Sequence, residues 1–176
     1  MLETHQPYNV IQRKHDIEYR RYPGATVAQV RVRGSYTIRL HSGFRELSHY
    51  VTGGNYQHQS LPMIAPVVMT ALNADESHVR LYLGTDSQVT TVPTPLSDAV
   101  EIMTHASRIV AAVRMSVAYQ PAVLLETAVR LRHALIAAKI TFIDAPEYRF
   151  YTSPWQPIGH HGEVTFLLTQ LPFPLI

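Results

Sequence analysis

Three groups of residues in this 176-residue chain combine side chains and spacing suited to chemistry. The first lies on a predicted helix, where His41, Phe44 and Ser48 recur at three- and four-residue steps and so share a face. A neutral imidazole at His41 can ligate a heme iron while Phe44 packs on the macrocycle. Arg45 or Arg39 can then reach the propionate carboxylates by charge-assisted hydrogen bonds. The plainer alternative is a half-exposed histidine beside a core phenylalanine. The second group is the loop 151–163, which holds the single tryptophan, Trp155, two prolines and the neighbours His160 and His161. Adjacent side chains of an extended strand point to opposite sides, so one of these imidazoles at most can face a pocket. Trp155 either plugs one end of a barrel or walls a ligand site. The third group is Glu18, Glu101 and Glu163, carboxylates inside or beside predicted strands. Glu101 and Glu163 are candidates for a general base, set against structural ion pairing with the plentiful arginines.

Other chemistries find no local support. No cysteine is present, which excludes disulfides, Cys-ligated metals and thiol catalysis. There is no His-x-x-x-His helix for zinc, no Gly-x-Ser-x-Gly elbow and no glycine-rich phosphate loop. His49 and His58 flank a Gly-Gly-Asn turn, while His105 and His133 read as strand-end and helix-surface groups.

The elements that must position these residues follow from period and punctuation. Segments 8–12, 17–22 and 26–32 are β-branched and aromatic runs separated by turn residues, the last two by Pro23-Gly24. Gly34-Ser35 opens a helix whose apolar positions Ile38, Leu40, Phe44, Leu47 and Val51 keep a helical period to Gly53-Gly54. Strands 62–72 and 78–83 follow, then a proline-bearing loop at 91–97. A second hairpin is expected at 101–106 and 108–117. Pro121 opens a helix over 122–139, and strands 148–152 and 163–169 complete the chain.

The order strand, strand, helix, strand, strand thus occurs twice. A shift of 83 places Glu18 on Glu101, Val27 on Val110, Ala28 on Ala111, Val30 on Val113 and Arg31 on Arg114 without a gap. The expectation is one domain over 1–176, with half-units at about 8–90 and 98–170. Its fold class is α+β, a sheet with one helix per half and pseudo-twofold repetition of a ββαββ unit. The cleft between the halves is the expected pocket.

Composition agrees with a single globular domain: 46% of residues are apolar, 16% are charged and the net charge is +2. Thirteen arginines and two lysines are scattered singly apart from Arg20-Arg21, so no basic stripe for nucleic acid is visible. No apolar run is long enough for a membrane helix and the N-terminus carries no secretory pattern. A cytoplasmic protein is expected.

Several segments together resemble the SOUL/heme-binding-protein family: 17–23 (IEYRRYP), 43–55 (GFRELSHYVTGGN), 62–67 (PMIAPV), and the stretch from Pro154-Trp155 to Glu163-Val164. The resemblance implies a distorted antiparallel β-barrel flanked by two helices, a fold shared with effector-binding domains of bacterial drug-responsive regulators. It also implies heme or another tetrapyrrole as partner. The family's binding surface maps onto His41, Phe44, Ser48, Trp155, Ile158 and His160. The chain departs from the family at three places. Arg21 stands where some members carry an axial histidine. Met63-Ile64-Ala65-Pro66-Val67 has an alkyl group in place of a hydroxyl. His160-His161-Gly162-Glu163-Val164 exchanges two fixed cations for imidazoles. His41 is therefore the first expectation for an axial ligand, with His160 and then His49 behind it. The expected function is a soluble, reversible heme or porphyrin carrier. The rival is an enzyme of the same fold, either peroxidase-like with heme or a hydrolase using Glu101 or Glu163.

Overall fold

The computed structural model describes residues 4–85, 91–115, 120–152 and 161–171. Ten strands and two helices occur in the order β1 (Thr4–His5), β2 (Asn9–Lys14), β3 (Ile17–Tyr22), β4 (Ala25–Arg33), α1 (Tyr36–Val51), β5 (Ile64–Ala71), β6 (Glu76–Thr85), β7 (Val100–His105), β8 (Arg108–Met115), α2 (Pro121–Ala137), β9 (Glu147–Phe150) and β10 (Gly162–Leu167). Element types match the sequence expectation, and β1, too short to carry a period, is the addition.

Strand pairing does not match it. β3 and β4 do not form a hairpin, nor do β7 and β8. β3 pairs antiparallel with β8, from Ile17 opposite Val113 to Tyr22 opposite Arg108. β4 pairs with β7, from Val30 opposite Val100 to Ala25 opposite His105. The short linkers Pro23-Gly24 and Ala106-Ser107 thus carry the chain across from one half of the sheet to the other. Ile17 and Val100 are 83 residues apart, as are Val30 and Val113, so the two exchanged ladders share one register.

The sheet runs β2-β3-β8-β10-β9-β5-β6-β4-β7, with β1 added in parallel to β5. Its described end strands β2 and β7 do not pair with each other, so backbone hydrogen bonding leaves the sheet open where the resemblance implied a barrel. The two sides of the path carry like connections: β4–β6–β5 on one, β8–β10–β9 on the other, joined where Val67 faces Phe150.

Both helices lie on one face of this sheet. Ser35 caps α1, its hydroxyl accepting from the Ile38 N–H, and Leu40, Phe44, Leu47, Tyr50 and Val51 form the buried stripe. That stripe packs on β4 and β6 through Ala28, Val30, Val79 and Leu81. Gly43 makes the approach close enough that an added Cβ would lie 2.5 Å from Val79 Cγ2. α2, opened by Pro121, packs Leu124, Ala128, Leu131 and Leu135 against the β10 side of the same core.

The opposite sheet face carries the alternate residues, and they are largely charged. Glu18 and Arg20 on β3, Arg108 and Arg114 on β8, Glu163 on β10, Glu147 and Arg149 on β9, Arg80 on β6 and Glu101 on β7 all project there by strand alternation and register. Arginines that look solitary along the sequence become neighbours across the sheet.

Candidate functional site

The helix-free face is held by buried ion pairs. Arg20 is fully buried and binds Glu163 with two guanidinium hydrogen bonds of 2.7 Å, Nη1 to Oε2 and Nη2 to Oε1. Its Nε donates to Glu18 at 2.8 Å, and the Tyr8 ring covers the guanidinium at 4.3 Å. Tyr151 donates its hydroxyl to the same Glu163 at 2.7 Å. Burial pushes the Glu163 carboxyl upward, but the hydrogen bonds and charge of Arg20 outweigh it and hold the group below its usual value. Burial, then the Glu163 charge, raises the Tyr151 phenol well above its ordinary value, so it serves as a donor. A carboxylate with this many donors is poorly suited to accept a proton from water. Glu101 has the opposite defect for that role, because it is exposed on edge strand β7 rather than buried.

Beside this network opens a cavity of about 360 Å³, lined by His5, Tyr8, Arg114, Met115, Tyr151, His161, Gly162 and Glu163. The His5 and Tyr151 rings meet at a tilt of 56°, with centroids 5.5 Å apart. Arg114 reaches Tyr8 at 3.3 Å and Glu163 at 3.4 Å. Sequence reasoning left His5, Tyr8 and Tyr151 unassigned. Segment 8–12 reads as an ordinary strand and residues 4–5 carry no period, so nothing local says that the pairing of β1 with β5 sets His5 beside Tyr151.

A second concavity, of about 300 Å³, runs along the outward side of α1 and is lined by Thr37, Ile38, His41, Ser42 and Arg45. His41 is half-buried and Arg45 exposed, one turn apart on this wall. Phe44 lies at the inner edge of the same helix side and belongs to the core, 7% exposed, so it backs the wall from below. Ser48 is half-buried, and its Oγ is shielded from solvent without a hydrogen-bond partner. Arg39 is buried on the other edge of α1. His49 is exposed in the last turn. Trp155, Ile158 and His160 lie outside the described residues; His161, the neighbour of His160, lines the first cavity.

Among the described residues, no three His, Asp or Glu side chains gather as a metal-ion site. An imidazole with one guanidinium and alkyl groups on a half-open wall suits a group that brings its own metal and equatorial ligands. None of the described helices is long and apolar enough to cross a membrane.

A family model described as SOUL heme-binding protein matches residues 3–167. A search of the curated proteins gives no match. Among solved structures, the EcmrR C-terminal domain superposes with a TM-score of 0.68 at 9% identity, covering 93% of this chain and 99% of that one. A hydrolase from Listeria innocua superposes with a TM-score of 0.55 at 9% identity, covering 90% of this chain and 94% of that one. At such identities the likeness establishes the α+β fold and nothing of the chemistry.

Proposed function

Because this chain belongs to the SOUL heme-binding protein family, we propose that it binds heme or a related tetrapyrrole reversibly, as a carrier or buffer. The observation that supports this reading is the α1 wall, where His41 and Arg45 line one concavity with Ile38, while Phe44 on the same helix belongs to the core. His41 would ligate the iron, Arg45 would hold a propionate carboxylate, and Ser48 would add a polar contact farther along the helix. Trp155, Ile158 and His160, outside the described residues, are taken as further contacts to the macrocycle on the family resemblance alone. His160 and then His49 are the alternative ligands. Bound heme supplies a redox-active iron.

Burial of roughly 300 Å² of macrocycle at about 25 cal/mol/Å² is worth about 7 kcal/mol before the cost of ordering. An axial bond therefore adds selectivity for iron more than bare affinity. An enzymatic role through Glu163 receives less support, since Arg20 and Tyr151 occupy its carboxylate.

Titration with ferric heme and with metal-free porphyrin, on the native protein and His41→Ala, tests the reading. Both ligands are expected to bind the native protein. Only the ferric heme spectrum is expected to change in His41→Ala, with metal-free porphyrin affinity held within a few-fold. A native protein that leaves the Soret band unshifted overturns heme binding; an unchanged ferric spectrum in His41→Ala removes the assignment of His41.

The half-units are read as copies of one ββαββ unit that have exchanged their first strands. The common register of the β3–β8 and β4–β7 ladders supports this.

A further inference from the structure

On the helix-free face lies a small enclosed space, separate from the α1 wall, of about 10 Å³. It is lined by Gln6, Arg80, Tyr82, His105, Arg108 and Glu147 among apolar neighbours. Such a space suits one small spherical group, a water molecule or a monatomic ion.

The hydrogen-bond inventory around this space is lopsided. Gln6 is 4% exposed, yet its Nε2 has no acceptor. Arg108 donates Nη1–H to His105 Nδ1 at 3.1 Å, while its Nε is buried without a partner. Arg80 gives Nη1 to Glu147 at 3.3 Å and Nη2 to Thr70, but its Nε is likewise unpartnered. The fully buried Arg149, bound to Glu147 at 2.9 Å and to Thr165 at 3.2 Å, leaves Nη1 unpaired. Three shielded N–H donors on the lining residues thus lack acceptors, with Arg149 Nη1 a fourth on the neighbouring strand.

The charges are equally unbalanced. Three guanidiniums, Arg80, Arg108 and Arg149, share the single carboxylate of Glu147. Glu163, beyond them, is already held by Arg20. His105 accepts from Arg108 and is therefore neutral at Nδ1. Its pKa is pulled down by burial and then by Arg108 and Arg80, so it adds no compensating charge. Burial and the repulsion of Arg149 and Arg80 also press the Arg108 pKa downward. An arginine keeps its proton at neutral pH; the Tyr22 ring, 4.6 Å from Arg149 and 5.6 Å from Arg108, offsets part of this charge, and the remainder favours an anion.

We propose that this space is a binding site for one monatomic anion of the chloride class, held by Arg108, Arg80 and Gln6. A water molecule would satisfy two donors at most and leave the excess positive charge. A halide accepts from several N–H groups at once and offsets that charge. The site is structural: it ties the N-terminal segment at Gln6 to β6 and β8.

The test is unfolding of the native protein by urea at fixed ionic strength, with chloride, bromide or gluconate as the anion. Above the dissociation constant, the folding constant is expected to rise about tenfold per tenfold increase in chloride or bromide, and to stay level in gluconate. Crystals grown in bromide are expected to show an anomalous peak within hydrogen-bond distance of Arg108. Arg108→Met is expected to lose the chloride dependence; Gln6→Leu, a milder change, is expected to weaken it should Arg108→Met fail to fold. Equal midpoints in chloride and gluconate, a water peak alone in the bromide crystal, or undiminished dependence in Gln6→Leu with a folded Arg108→Met overturn the proposal.

Discussion

Glu163→Gln is the most direct probe of what the helix-free face does. The substitution keeps the shape but removes the charge that faces Arg20, a side chain with no solvent exposure. Arg20 then exchanges two charge-assisted bonds of 2.7 Å for at most one bond to a neutral amide oxygen; it keeps the Tyr22 hydroxyl at 3.4 Å, and its remaining charged partner is Glu18, 14% exposed. Breaking a buried pair from one side costs about 3–5 kcal/mol, and the surviving Glu18 partner favours the lower end, about 3 kcal/mol. Removing both charges at once, by Arg20→Met with Glu163→Leu, avoids the stranded cation. It leaves the Tyr151 hydroxyl and Glu18 short of a partner, at about 1–2 kcal/mol each. The double variant should therefore cost about 2–4 kcal/mol, where two single losses of about 3 kcal/mol or more would sum to at least 6. Urea unfolding measures both quantities. With a slope near 2 kcal/mol/M, Glu163→Gln lowers the midpoint by about 1.5 M. A loss under about 0.5 kcal/mol for Glu163→Gln, or strictly additive losses in the cycle, would refute the assignment of Glu163 to structure.

Three further outcomes follow from the same coordinates. Glu147 is desolvated, yet Arg149, Arg80 and Arg108 hold its carboxyl down to about 2, and Glu18 and Glu163 also lie below their usual values. Their stabilisation is complete above the normal carboxylate range near 4.5 and is lost as pH falls toward 2, so acid unfolding should set in below about pH 4; Glu147→Gln should flatten that slope in denaturant titrations, and a profile unchanged by the substitution would contradict it. Gly43→Ala places a methyl group against Val79 and should cost about 1–3 kcal/mol, with Val79→Ala restoring part of the loss in the pair; equal stability of Gly43→Ala and the parent would show that α1 stands off the sheet. Asn55, fully buried, donates to the carbonyls of Tyr50 and Gln59 and accepts from the Gln59 N–H, so Asn55→Ala should cost about 3 kcal/mol and speed hydrogen exchange at Gln59; a change under about 1 kcal/mol would mean that the turn after α1 holds without it.

The element types, the caps and the side-chain faces of α1 are written in local sequence. Ser35, the period through Leu40, Phe44 and Leu47, and Pro121 act within a few residues, so they can be read without knowing the fold. The same locality puts His41 and Arg45 on one wall, because a helix brings residues four apart together whatever lies beneath it. Strand partners are a different matter. Pro23-Gly24 suits a hairpin as well as a crossing, and only the competition among long-range ladders sent β3 to β8 and β4 to β7. The charged face escaped reading for the same reason. Ion pairing of the strand carboxylates with arginines is legible, but not which ones: Arg20, beside Arg21, and the singly spaced Arg80, Arg108 and Arg149 become neighbours only when strand alternation and register set them on one surface with too few carboxylates among them. Periodicity carries the direction of each side chain relative to its own backbone; which charges meet, and which are left to find a partner, is decided by tertiary pairing between strands tens of residues apart.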